Sequence, residues 1–158
     1  MHKRIIGLLL LLFSVPLLAA SPLEDSVVSM PVAEGVSADD AIESMKLRAN
    51  TLNMALVGEL PLSAQLEAMG LETRRMEIFQ FCDPVTAQKM VEHDLLFAAY
   101  LPCRIALVED PQGQFWLVMM DLNPLIEMGG LSAELRSEAE QVRDVLQEIM
   151  QAGAEGDI

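Results

Sequence analysis

Two spacings of apolar residues alternate along this chain, and each dictates an element. Ala41, Ile42, Met45, Ala49 and Leu52 recur every three or four positions, which gathers them on one stripe of a helix. Ser37, with an acidic residue three places on at Asp40, supplies the N-cap that starts it. The last stretch repeats the pattern. Leu135, Ala139, Val142, Leu146 and Ile149 form a stripe behind a cap at Ser132, with Glu134, Glu138, Arg143, Asp144 and Glu148 off it. Between these helices the spacing shortens to two. Arg74 to Cys82 sends Met76 and Ile78 one way and Phe79 and Phe81 the other, as a strand apolar on both faces does. Val27 to Ala33, Met54 to Leu60, Arg104 to Glu109 and Gln114 to Leu122 also read as strands.

The residues between these runs set the order of elements. Pro61 ends the second strand, and Ser63 to Met69 is a short helix stopped by Gly70. Asp83 caps a further helix, with Pro84 at the first helical position, where no amide hydrogen is needed. Asp110-Pro111-Gln112-Gly113 has the chemistry of a tight turn, so the strands on either side form a hairpin. Asn123-Pro124 opens a short helix that Gly129-Gly130 closes. The pattern predicts an α+β fold, a largely antiparallel sheet of about five strands with helices packed on one face. Two long helical stripes cover only one face well. The other is therefore expected to form a homodimer contact or a groove.

Charge and composition alter this picture mainly at the ends. His2, Lys3 and Arg4, the apolar run Ile5 to Leu18 and the small residues Ala19 and Ala20 have the layout of a secretory signal peptide, cleaved near Ala20. The run is too short for a membrane span and contains Pro16. The expected division is a signal peptide over 1–20, a leader and first strand over 21–35, one globular domain over 36–151 and a flexible acidic tail over 152–158. Without Lys3 and Arg4 the mature chain keeps 8 of the 10 basic side chains against all 24 acidic ones. That balance excludes nucleic acid and an anionic membrane as partners, since both select basic surfaces. The place of work is the periplasm or the medium.

Phe81-Cys82-Asp83-Pro84, then Leu101-Pro102-Cys103-Arg104 running into the apolar strand Ile105 to Glu109, then a hairpin, Asn123-Pro124 and a closing amphipathic helix together resemble the Domain of Unknown Function 302 family. The similarity covers about Val36 to Met150. The family pattern has Asn where this chain has Asp83 and Asn where it has Arg104. The first change keeps a helix-capping residue, whereas the second alters the neighbour of the second cysteine. The resemblance implies a compact β-α-β-type fold, often dimeric, with no settled activity.

Several chemistries are excluded by what the sequence lacks. There is no Gly-x-Ser-x-Gly, His-Glu-x-x-His, phosphate loop or Cys-x-x-Cys, and His93 is the one histidine left after signal removal. His93 ends a helix, where its charge suits the dipole. Glu77 stands among strand hydrophobics, and a salt bridge to Arg75 or Arg104 is expected there rather than catalysis. Ten methionines remain, with Met119-Met120 beside Trp116 in a strand, and soft thioethers bind Cu(I), although gap-filling in the core is their commoner use.

The cysteine pair is the chief candidate site: Cys82 and Cys103, with Asp83, Pro84, Pro102 and Arg104 adjacent. An oxidising compartment favours a disulfide. Cys82 next to a helix N-terminus and Cys103 next to Arg104 also suit a redox pair, because both surroundings can lower a thiol pKa. Two separate buried thiols are the third reading. The compartment and the family resemblance favour antiparallel neighbouring strands, which would bring the cysteines to one end of the sheet. The expected function is a non-catalytic module that binds an unidentified small ligand or protein, with no cofactor. The alternatives are a thiol-disulfide protein using Cys82 and Cys103, and a Cu(I)-binding protein.

Overall fold

The computed structural model describes residues 23–157 and sets five strands in one sheet. They are β1 (Val27–Pro31), β2 (Ala55–Leu60), β3 (Met76–Cys82), β4 (Cys103–Glu109) and β5 (Phe115–Met120). Their order is β1-β5-β4-β3-β2, and every neighbouring pair is antiparallel. The helices are α1 (Ala38–Thr51), α2 (Leu62–Ala68), α3 (Pro84–His93), α4 (Asn123–Met128) and α5 (Ala133–Glu155). This is the α+β architecture that the apolar spacing predicts. The signal peptide expected over 1–20 lies outside the described residues. No described helix is long and apolar enough to cross a membrane.

Local chemistry explains the boundaries. The Ser37 hydroxyl accepts from the Asp40 amide at 3.1 Å while the Asp40 carboxylate accepts from the Ser37 amide at 3.3 Å, so α1 starts with two backbone donors satisfied. Ser132 likewise accepts from the Leu135 amide at 3.2 Å at the start of α5. In the β4–β5 hairpin, Gly113 takes φ 82°, a region that favours glycine, and its amide donates to the Asp110 carbonyl at 3.1 Å.

One face of the sheet carries the core. Phe79, Phe81, Ile105, Leu107 and Leu117 are fully buried against Met45 of α1 and Leu146, Ile149 and Met150 of α5. The residues between them point the other way. On that side Ile78, Ala106 and Val118 pair across β3, β4 and β5 and are half-buried, while Met120 and Arg104 are exposed. At the sheet edges, β1 ends in Pro31, and β2 has a bulge between Leu56 and Gly58 that leaves Val57 52% exposed.

The C-terminal end corrects an expectation. Instead of a flexible tail from Ala152, α5 continues to Glu155, with Ala152 and Ala154 buried and Gly156 closing it at φ 68°. The small residues that suggest fraying in the sequence permit close packing here. A Cβ at Gly153 would meet the Met45 side chain, Leu117 Cδ1 at 2.9 Å and the Ala41 carbonyl at 3.1 Å. The Ala33 amide donates to the Ala154 carbonyl at 2.7 Å, and Arg48 bridges Glu148 at 3.0 Å and Asp157 at 2.9 Å. Both ends of the domain are thereby stitched together.

Candidate functional site

The antiparallel pairing of β3 and β4 brings the two cysteines to the same end of the sheet. Cys103 stands opposite Phe81, one residue short of Cys82. Both are free thiols, so the expected disulfide is not formed in this structure. Cys82 ends β3 one position beyond the Phe81–Cys103 pair, and both thiols still line one recess between the sheet end and the helices. By the alternation of side chains along a strand, Arg104 points away from Cys103, toward the open face.

Asp83 organises the start of α3. Its Oδ1 accepts from the amides of Val85 at 2.9 Å and Thr86 at 3.2 Å, and its Oδ2 accepts from the Thr86 hydroxyl at 3.2 Å. The positive helix end is thus occupied by a carboxylate next to Cys82. The thiol pKa moves up instead of down, first through burial and then through the charge of Asp83. Cys103 is pushed up to about 11, by burial first and by Cys82 second, with Arg104 pulling only partly the other way. This reverses the activation expected from the helix N-terminus. Both thiols are therefore expected to react with iodoacetamide at pH 7 far more slowly than free cysteine, because the thiolate is the nucleophile. Asp83→Asn keeps a capping side chain and removes the neighbouring charge. It should shift the alkylation profile of Cys82 to lower pH, and an unchanged profile would show that Asp83 does not govern this thiol.

Two recesses meet at this end of the sheet. The first is a partly open apolar recess of about 60 Å³ between the β3 and β4 ends and the helices, lined among others by Phe81, Cys82, Asp83, Met90, Phe97 and Cys103. A dry cavity of roughly 150 Å³ is what holds a benzene molecule, so this one is too small for an organic ligand. The second is a groove of about 530 Å³ lined on the open face by Val27, Ile78, Arg104, Ala106, Val118 and Met120, with Tyr100 and Pro102 at its end, and reaching the core residues Met119 and Leu146. Its volume falls within the roughly 300–1,000 Å³ of small-molecule sites. Tyr100, Cys103 and Leu122 line both recesses. Pro84 lines neither and serves the first turn of α3.

The remaining candidates take structural places. Arg75 Nε donates to Glu77 at 2.8 Å, the ion pair expected there. His93 Nε2 lies 3.0 Å from the Gly129 carbonyl, with its ring near Phe97. Met119 is buried in the core while Met120 is exposed, so these neighbours do not converge on one ion. Among the described residues no group of three or more His, Cys, Asp or Glu side chains is placed to hold a metal.

The sequence reading missed Phe97 and Tyr100, which sit on a 3-10 helix, Leu95–Tyr100, and Leu122 and Ile126 around α4. The apolar run from Leu95 to Leu101 is the signal that could have found the first two, but it has no helical or strand period.

Comparisons with known proteins agree with this architecture. The crystal structure of an uncharacterized conserved DUF302 protein from Bacillus stearothermophilus is similar, with 19% identity and a TM-score of 0.65 over 80% of this chain and 96% of that one. At that identity the likeness shows the fold. No curated protein matches the chain. The model of the family described as domain of unknown function DUF302 matches residues 28–153. That match spans most of the chain, including both cysteines, all of the sheet but Val27 and nearly all of α5, and the chain therefore belongs to the DUF302 family.

Proposed function

We propose that this chain is an exported, non-catalytic binding module whose small ligand seats in the groove on the open face of the sheet. The observation that carries the reading is the row Ile78, Ala106 and Val118, which lines the open-face part of a groove of about 530 Å³. Export rests on the basic start, short apolar run and small residues of the first twenty positions. A thiol-disulfide role is the weaker reading. The two cysteines line one recess as free thiols, and the raised pKa of each disfavours the thiolate. Cu(I) binding has Met90 in the same small cavity as both cysteines in its favour, but the raised thiol pKa values oppose it, since a thiolate is the ligand.

A second copy of the chain on the same face is the competing occupant. Trp116, the single tryptophan, pairs with Val108 one row from Val118 and gives a local fluorescence signal. Titration of purified protein with decan-1-ol should saturate at one equivalent. Ala106→Glu should abolish that signal while leaving the melting temperature within a few degrees, because the side chain points away from the core. A flat titration, or a dimer at micromolar concentration that Ala106→Glu dissociates, overturns the ligand reading.

A further inference from the structure

The groove proposed above holds one charged side chain. Arg104 is exposed and makes no ion pair among the described residues, although acidic residues outnumber basic ones by 24 to 10. Arg48, Arg75 and Arg143 are each held by carboxylates of the chain itself, and the other arginines without an ion pair among the described residues, Arg74 and Arg136, lie outside the groove. Tyr100 lies at the same end of the groove, and its hydroxyl makes no hydrogen bond among the described residues. Two residues along β3 and β4, or about 7 Å further, begin the apolar positions Ile78 and Ala106, with Val118 beside them. An unpaired cation and a free hydroxyl at one end, with an apolar row leading away, match a ligand of one shape: an anionic head on a single apolar chain.

We infer that the groove binds a free linear carboxylate of medium chain length, its head paired with Arg104 and Tyr100 and its chain laid over Ile78, Ala106 and Val118. This inference rests on the groove being the binding site. A guanidinium presents two parallel N–H donors that fit both oxygens of a carboxylate, which an ammonium does not. The acidic surface repels anions at long range, so the selectivity lies in this contact and not in steering. The groove is a single recess with one cationic end, which suits one chain and one head better than a two-chain lipid.

The test uses decanoate and decan-1-ol, which share a ten-carbon chain and differ in charge at pH 7, titrated calorimetrically into the protein and into Arg104→Met. Decanoate is expected to bind about ten-fold more tightly than decan-1-ol, the difference that a charge-assisted hydrogen bond supplies. Arg104→Met should remove that preference and leave decan-1-ol binding within about two-fold, with an unchanged melting temperature as the control for folding. Arg104→Lys should fall between the two. Equal binding of both probes, or an equal loss of both in Arg104→Met, overturns the carboxylate inference and leaves the groove standing. Absence of saturable binding by either probe overturns both. Cosedimentation with anionic phospholipid vesicles, without decanoate binding, assigns the face to a lipid surface and overturns the inference too.

Discussion

Phe81→Ala should destabilise the fold by about 3–5 kcal/mol, the cost of deleting a buried aromatic ring and leaving a cavity. Phe81 is fully buried, stands opposite both Leu56 of β2 and Cys103 of β4, and also lines the small cavity at the cysteine end. The lost ring is thus shared by three strands and the helical layer above them. Its space cannot close without moving β2 against β4, so relaxation recovers little. In a domain of this size the melting temperature should fall by roughly 10–20 °C. Urea unfolding followed by circular dichroism gives the free energy, and the slope with denaturant should stay near that of the parent. Val118→Ala on the open face provides the contrast, with an expected loss below about 1.5 kcal/mol. A loss at Phe81 no larger than at Val118 would show that the packed face has been wrongly assigned.

Gly153→Ala should destabilise by about 1–3 kcal/mol, as overpacking in a close-packed core does. Helix propensity alone gives the opposite sign, since alanine is favoured over glycine inside a helix by about 1 kcal/mol. Packing wins because the new methyl would meet the backbone carbonyl of Ala41 as well as the side chains of Met45 and Leu117, and the carbonyl cannot swing away. To accommodate it, α5 must lift from α1 and strain the hydrogen bond between Ala33 and Ala154. Thermal unfolding of the variant decides between the two signs. A rise in melting temperature would mean that α5 sits less tightly on α1 than these distances require.

The contrast between these two residues also shows how far the sequence could be read. Phe81 alternates with Phe79 in a run of period two, so its strand and its burial are legible from spacing alone. Caps at Ser37, Asp83 and Ser132 are equally plain, because each is a short polar residue before an apolar stripe. Gly153 misleads: between two alanines and before acidic residues it reads as a frayed end, and only the approach of α1 gives the small residues a purpose. The site was half legible. Cys82, Asp83, Cys103 and Arg104 stand out by type, yet their chemistry depends on register. Pairing of β3 with β4 at a one-residue offset brings both thiols to one recess, while alternation along β4 turns Arg104 to the opposite face. No spacing rule reports that offset before the strands are paired. Tyr100 escaped notice for another reason, since a 3-10 helix has no apolar period long enough to detect.

The rims of the sheet carry a consequence for how the protein resists aggregation. An open β-edge is a template on which another chain can add a strand and propagate into aggregate. Here one rim strand terminates in Pro31, which has no amide to donate, and the other is kinked by its extra residue at Val57. Growth of the sheet sideways into fibrils is blocked at both borders, while the apolar face between them remains available.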